Sequence, residues 1–537
     1  MKVKSLLLGA AAGLVTVAAS QAADLPTRKA APVNYVRVCD AYGAGFFYIP
    51  GTDTCLRVGG SVLAQTRIQG SSQMYAMAPN AGLGQIIAGT TATAVGAVPT
   101  SVYYAGSAYR PAGLGLTRDQ VGYDAIGAIE LDARTQSPWG TVRSFVRIRS
   151  VFGSGVNATT GAYGALLPGG SGFVAGPAKD FTYLDKAFIQ FAGITMGRVQ
   201  SFFDFYTDNF NYESLRGSNQ NVWALAYTAA FGGGMSATLS IEDNYSHRGP
   251  VASVLPQSNY TFPGFFNFGG AGIAAAQIPN VVANLRIDQP WGSAQIAGAI
   301  NPVRAVAYAV PTGSGTPAGM PLIVANKIGW AVSGGLKFNL DMLSPGDQLW
   351  LQAIYAQGAI GYVSGANMAF VGSPNLTPAY GIGVARTSNA YGWGNATDAD
   401  CVLTLAGTCE LSKALAVTAA LKHYWSPTLS SALFGSYYAV NYSQNALTPV
   451  TMTGGAGGAT PMALGGISNY KEVRIGTNLV WSPVKNFDIG GEIAWIRGIT
   501  SRPFGLPNDY TLAATGLPTF HGVNDSFYGK IRMVRAF

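Results

Sequence analysis

Read in steps of two, residues 327–340 separate into two sets. Ile328, Trp330, Val332, Gly334, Leu336, Phe338 and Leu340 form one; Lys327, Gly329, Ala331, Ser333, Gly335, Lys337 and Asn339 form the other. Period two puts the sets on opposite faces of a strand. An apolar face against a small and charged face, sustained for about 14 residues, is longer than the roughly 5–6 residues of a strand in a water-soluble sheet. It suits the roughly 9–11 tilted residues that cross a bilayer. The stretch from Ser526 to Phe537 alternates in the same way.

The same pattern predicts strands over 56–69, 118–134, 139–153, 180–192, 193–200, 221–231, 235–246, 279–289, 293–303, 327–340, 348–363, 411–425, 429–443, 469–482, 486–498 and 524–537. Short turns join many of them. Pro-Trp-Gly separates two hairpins at 138–140 and 290–292, and Trp-Ser-Pro closes two others at 425–427 and 481–483. Pro and Gly reverse the chain, and Trp beside each turn suits an aromatic belt at a membrane interface. Between the hairpins run long Gly-, Ala-, Ser-, Thr- and Pro-rich segments: 70–117, 154–179, 247–278, 304–326, 364–410, 444–468 and 499–523. Sixteen strands is an even number, and short turns at one end with long loops at the other describe an outer-membrane barrel. The expected fold is all-β, a transmembrane antiparallel β-barrel of 16 strands over 56–537.

Composition sharpens this. Charged residues are 11% of 537, against about 25% in ordinary soluble domains. Glycine contributes 70 residues, near twice its usual share of about 7%. Mean hydropathy is positive, yet no apolar run past residue 22 is long enough for a membrane helix. Lys2 and Lys4, the apolar stretch Leu6 to Ala18 and the small residues of Ser20-Gln21-Ala22 have the parts of a secretory signal. Residues 1–22 are therefore expected to be removed, and 23–55 to form a periplasmic N-terminal segment. Cysteines fall in two close pairs, Cys39 with Cys55 and Cys401 with Cys409. In an exported chain, disulfides are the natural reading. The three histidines lie far from both pairs, which disfavours zinc. No metal or cofactor is expected. The basic residues are scattered, with no tract suited to nucleic acid.

Alternation also assigns an interior. The first strand offers Arg57, Ser61, Gln65 and Arg67, and the second Asp124, Glu130, Asp132 and Arg134. In the third, Arg143, Arg147 and Arg149 share one face while Val142, Val146 and Ile148 share the other. Each arginine facing lipid near the midplane costs about 2–4 kcal/mol, so this face must line water. The plain alternative is that these arginines only satisfy wall carboxylates.

The segment "VCDAYGAGFFYIPGTDTCLRVGG" at 38–60, "FIQFAGITMGRVQSFFDFY" at 188–206 and the terminal Phe537 resemble the alphaproteobacterial general porins. The resemblance implies homotrimers of sixteen-stranded barrels that pass small hydrophilic solutes and ions across the bacterial outer membrane. It implies contact with outer-membrane lipid and lipopolysaccharide, and that Phe537 serves as a signal to the barrel assembly machinery. The third long loop, 201–220, is then expected to fold into the lumen. It would pack through Phe202, Phe203, Phe205, Tyr206, Phe210 and Tyr212, and set Asp204, Asp208 and Glu213 against the basic residues Arg57, Arg143, Arg147 and Arg149. Opposed charges across a gap make a transverse field. A sugar-selective porin with an aromatic-lined lumen is the alternative. An enzyme lacks any recognisable motif, an energised receptor would need a plug domain larger than residues 23–55, and an adhesin would not need sixteen amphipathic spans.

Overall fold

A computed structural model of the chain describes residues 37–69, 121–155, 179–249, 251–253, 271–273, 277–308, 321–364, 398–404, 407–447, 450–452, 462–464, 469–501 and 523–537. The expected leader at 1–22 lies outside the described residues, as do much of the long connections. The chain divides into a small unit ending at Leu56 and a large one over Arg57–Phe537. In the small unit Cys39 and Cys55 are disulfide-bonded. Around that bond pack Phe46, Tyr42 and Tyr48, and Tyr48 stands in register with Cys55.

The large unit is a closed antiparallel barrel of sixteen strands. In chain order they are β1 (Cys55–Gln69), β2 (Val121–Ser137), β3 (Gly140–Gly155), β4 (Lys179–Phe191), β5 (Ile194–Gln200), β6 (Asn221–Gly232), β7 (Met235–Glu242) and β8 (Asn280–Gln289). They continue with β9 (Gly292–Tyr308), β10 (Pro321–Asn339), β11 (Gln348–Gln357), β12 (Lys413–Ser426), β13 (Leu429–Asn441), β14 (Tyr470–Val484), β15 (Phe487–Thr500) and β16 (Val523–Ala536). Each pairs with its chain neighbours, and β16 pairs with β1 to close the ring. Phe537 completes that seam: its N–H donates to the Gly60 carbonyl at 3.0 Å and its carbonyl accepts the Gly60 N–H at 3.1 Å. A Cβ on Gly60 would lie 2.8 Å from the Phe537 ring, so the glycine makes room for the aromatic.

The expected alternation holds around the wall. On β10, Val324, Ile328, Trp330, Val332 and Leu336 are exposed while Ala331 and Ser333 are buried; on β14, Ile475, Leu479 and Trp481 are exposed while Glu472, Arg474 and Asn478 are buried. Closure satisfies every strand edge, which a bilayer demands. Trp139, Trp291, Trp425 and Trp481, beside the short turns, are all exposed, as a girdle requires.

At three places the observed strands depart from the predicted bounds by more than three residues. The strand expected over 348–363 stops at Gln357 because Gly358 adopts φ +65°, and a helical turn follows at Gly361–Ser364. The strand expected to 246 stops at Glu242, where the Asp243 carboxylate accepts the N–H of Ser246 in a local turn. The hairpin expected to open at 303 instead continues, pairing Val306 with Val324 and Ala307 with Ile323. Separate from the barrel sheet, Cys401–Leu403 pairs with Cys409–Leu411 and, in parallel, with Val251–Ser253, and the Cys401–Cys409 disulfide ties the first two.

Candidate functional site

The connection between β5 and β6, residues 201–220, is anchored at its base by the Ser201 N–H to the Gln220 carbonyl, 2.9 Å. From there it meets one wall side chain after another. Glu242 of β7 accepts Ser201 Oγ at 2.8 Å and the Phe202 N–H at 3.0 Å. Asn284 of β8 donates to the Phe202 carbonyl at 2.6 Å, and Gln295 of β9 to the Asp204 carbonyl at 3.1 Å. Gln352 of β11 accepts the Tyr206 N–H at 3.3 Å. Asn478 of β14 donates to the Phe210 carbonyl, and Glu492 of β15 accepts the N–H groups of Tyr212 and Glu213 at 2.7 and 3.1 Å. Lys530 of β16 donates to the Tyr212 carbonyl at 3.0 Å. An irregular segment carries unpaired backbone groups that burial would make costly; here the wall's amides and carboxylates pair with them.

Aromatics fix the same path. The Phe205 ring lies 5.0 Å from Trp350 and the Tyr206 ring 5.7 Å from it. Phe205 also rests on Gly335 of β10, where a Cβ would stand 2.2 Å from its ring, and the Tyr212 hydroxyl rests on Gly490 of β15, where a Cβ would stand 2.0 Å away. On the return, the Arg216 guanidinium makes a two-point contact with Glu472, at 2.8 and 2.7 Å, and donates to the Ser364 carbonyl at 3.1 Å. Its own carbonyl accepts Thr418 Oγ1 at 2.6 Å. Arg216 is 1% exposed, so this pair is a buried, hydrogen-bonded lock.

The three expected acids have different surroundings. Asp204 is buried, accepting the Gln220 N–H at 2.8 Å and the Gln200 amide. Burial pushes its carboxyl up to about 6, against hydrogen bonds that pull it down. Asp208, at φ +58°, binds the Leu215 N–H at 3.0 Å and the Asn211 and Asn219 amides at 2.7 and 3.0 Å. Glu213 is 1% exposed and pairs with Lys530 and with Arg67 at 3.8 Å. Burial raises its carboxyl, and the two cations outweigh that and hold it below the usual range.

The arginine row lies on the opposite stretch of wall. Asp132 of β2 accepts Arg134 at 2.8 Å and Arg143 at 3.0 Å. Arg147 binds Glu130 at 3.4 Å and Asp185 at 2.5 Å, and Arg149 reaches Asp185 at 3.3 Å. The arginine side chains stay 29%, 20% and 35% exposed. Asp185 sits at a bulge, where Arg147 pairs with Lys186 and Ile148 with Leu184. That extra residue turns Asp185 and Lys186 to one side of β4 while Leu184 and Ile189 face out.

With this geometry in hand, comparison with known proteins is decisive. A family model described as a porin subfamily matches residues 24–93 and 115–514. The chain belongs to this porin subfamily. Porin Omp2b of Brucella suis biovar 1 is 29% identical over 307 residues, 56% of this chain and 66% of that relative, and Porin Omp2b of Brucella abortus strain 2308 matches to the same extent. The chain thus spans 66% of the length of the curated relatives it matches. The outer membrane channel DcaP of Acinetobacter baumannii superposes with a TM-score of 0.51 over 91% of this chain and 99% of its own, at 13% identity, which bears on the fold. The porin-family chain is accordingly a multi-pass protein of the bacterial outer membrane.

In this porin, then, the predicted site residues fall into separate groups. Arg143, Arg147 and Arg149 come together on β3 with wall acids as partners. Asp204, Asp208 and Glu213 come together in 201–220 with their own partners. Arg57 lies ten residues along β1 from Arg67 (67 − 57), roughly 33 Å at the rise of a strand, and so away from Glu213. Sequence reasoning passed over Glu242, Glu472, Glu492, Arg216 and Lys530. Their signal was available in part: each acid and Lys530 occupies an inward position of a predicted strand, where a charge needs a partner. Asp185 had a signal too, since Asp185-Lys186 puts adjacent charges in mid-strand, which only a bulge can accommodate on one face.

Proposed function

We propose that this porin is a passive diffusion channel for small hydrophilic solutes and ions across the outer membrane, and that residues 201–220 fold into its lumen as the constriction. The single observation carrying this reading is the run of hydrogen bonds from 201–220 to inward-facing side chains on strands from β7 round to β16. A segment so attached narrows the lumen from one side, and the solute passes between it and the partly exposed arginines of β3. Fixed arginines and wall acids orient dipolar solutes, while no tight site retains them. The sugar-selective alternative needs aromatics facing the passage; Phe203, Phe205 and Tyr206 are buried instead. No catalytic role is assigned to any residue.

The subunits are proposed to assemble as homotrimers. Residues 1–22 are read as a leader and 23–55 as a periplasmic segment. Phe537, exposed at the seam, is read as the mark for the assembly machinery, so Phe537→Asp lowers outer-membrane yield without altering the channels that form. Planar-bilayer recording is the central test: conductance in three equal steps is expected; single steps throughout would remove the trimer, and no conductance at all would remove the channel. In a salt gradient, Arg147→Gln shifts the reversal potential toward cations and Asp208→Asn toward anions. Both shifts shrink at 1 M salt, where screening shortens to about 3 Å. If neither moves, these residues do not set the pore field.

A further inference from the structure

From the level of residues 201–220 toward the long-connection end, the inward face of the wall changes character. On β9, Gln295 binds 201–220, and the next two inward positions are Ala297 and Ala299. On β12, Thr418 binds it, and the next two are Ala416 and Ala414. All four alanines are buried, in one apolar cluster with Ile354 of β11, Tyr438 of β13 and Ile496 of β15. A water-filled lumen calls for polar side chains. An apolar inward face is favourable only where something covers it.

Two pieces of chain supply the cover. The helical turn at Gly361–Ser364 and its approach bring Ala359, Ile360, Tyr362 and Val363 into the cluster, and residues 398–404 bring Ala399 and Val402. Their polar groups are paired as well. Asp400 accepts the N–H groups of Ile360 and Gly249, both at 2.7 Å, Asn301 of β9 donates to the Gly358 carbonyl at 2.8 Å, and the Tyr438 hydroxyl donates to Asp398. Glycine permits so close an approach: a Cβ on Gly329 of β10 would stand 2.0 Å from the Gly358 carbonyl oxygen. The cover also bears on 201–220. The Tyr362 ring meets that of Phe203 edge-on at 4.7 Å, and Arg216 donates to the Ser364 carbonyl and lies 3.8 Å from Asp398. The Cys401–Cys409 disulfide keeps 398–404 in its small sheet.

We propose that residues 358–364 and 398–404 are a second size-determining element of the channel: they fill the outer part of the lumen against β8 to β15, leave the passage to the side of β2 to β4, and set its width together with 201–220. This rests on the channel reading. A loop fastened to the wall narrows the lumen at one level, and a wedge packed above it extends the narrow zone outward, which weighs most on large solutes. The wedge is seated by apolar packing of Ile360, Tyr362 and Val402 on the wall. Polar substitution there unseats it without altering any charge of the pore field.

The test is thiol labelling of the full barrel in lipid vesicles with a charged, water-soluble methanethiosulfonate, together with single-channel recording of the same variants. All four native cysteines are in disulfides, so an introduced thiol is the sole target. Ala416→Cys, beneath the cover, should react at least about a hundredfold more slowly than Glu130→Cys, whose native side chain on β2 is 32% exposed. Ile360→Asn with Val402→Asn puts two unpaired amides into the apolar cluster, and labelling of Ala416→Cys should then rise at least about tenfold. Conductance should rise about 1.5-fold or more, and larger neutral sugars should enter vesicles in a swelling assay. Heat-modifiable migration establishes folding. If the double variant does not fold, Tyr438→Phe, which removes only the hydroxyl bond to Asp398, takes its place and should raise labelling about fivefold, and mean conductance with it. Equal labelling rates for Ala416→Cys and Glu130→Cys in the otherwise unchanged chain overturn the seating. Faster labelling with unchanged conductance and sugar cut-off overturns the size role. Absence of current from the unchanged chain overturns the channel reading and the size role with it, while the labelling contrast still decides whether the outer lumen is filled.

Discussion

The two arcs of the wall handle charge in opposite ways. From β7 round to β16, inward-facing acids and amides are nearly all buried and spend their hydrogen bonds on residues 201–220: Glu242, Glu492 and Glu472 each bind its backbone or its Arg216. From β2 to β4, acids and arginines satisfy one another across neighbouring strands, and the arginines keep a fifth to a third of their surface open. A buried charge held by dedicated partners is a fastening, because removing a partner leaves it undercompensated out of water. In the proposed channel a half-exposed charge with wall neighbours would be a source of field, since water compensates for a lost partner and the net charge would still act on the passage. The same residue type thus has two roles, decided by what covers it.

Substituting an arginine in each arc tests that contrast most severely. Arg216→Ala leaves Glu472 buried with Arg474 and the Tyr470 hydroxyl as its remaining partners and releases the return limb of 201–220. The loss expected for breaking a buried pair is about 3–5 kcal/mol, read as a fall in thermal stability together with larger, noisier single-channel currents. Arg143→Gln on the open arc leaves Asp132 paired with Arg134 and should cost no more than about 1 kcal/mol, while moving the reversal potential toward cations. Matching stability losses would erase the distinction between the arcs.

The glycine supports give the next effect in size. Gly335→Ala and Gly490→Ala insert a methyl into Phe205 and Tyr212, and overpacking of that kind costs about 1–3 kcal/mol. Gly127 of β2, where an added Cβ meets nothing within 4 Å, is the control and should tolerate alanine. Equal melting temperatures for all three would mean the aromatics are not seated on those glycines.

Smallest is the titration of Asp204. Its carboxyl is raised to about 6 by burial from an ordinary value of 3.8, so the folded state holds the proton more tightly than the unfolded one. Its contribution is therefore fully present below about pH 4 and declines as pH rises through 6. Asp204→Asn should flatten the pH dependence of melting in that window, and an unchanged slope would assign the dependence to another group.

All sixteen spans were legible because lipid imposes strict alternation on strands such as β10 and β14. The arginine row of β3 was legible for the same reason, since three outward arginines could not be tolerated. Asp204, Asp208 and Glu213 were legible as acids of the third connection and not as partners. Glu492 lies 280 residues from the Tyr212 N–H it accepts, and no local pattern encodes such a meeting. Nor did the chain announce the small sheet of Cys401–Leu403, Cys409–Leu411 and Val251–Ser253, because three-residue strands are too short for a period to show.

The seam between Gly60 and Phe537 carries a consequence for how the ring comes to exist. Fifteen of the strand pairings join neighbours along the chain, so each can form as a hairpin soon after its two strands meet. The sixteenth brings together residues 477 apart (537 − 60), and the entropy of closing a loop that long is of order 5 kcal/mol. Nearly all the topological difficulty of folding is therefore concentrated in one line of hydrogen bonds. A curved, open ribbon of fifteen local pairings is the natural precursor of the barrel, and the zipping of β16 against β1, with the terminal aromatic settling over a residue that has no side chain, is the event that converts ribbon to ring.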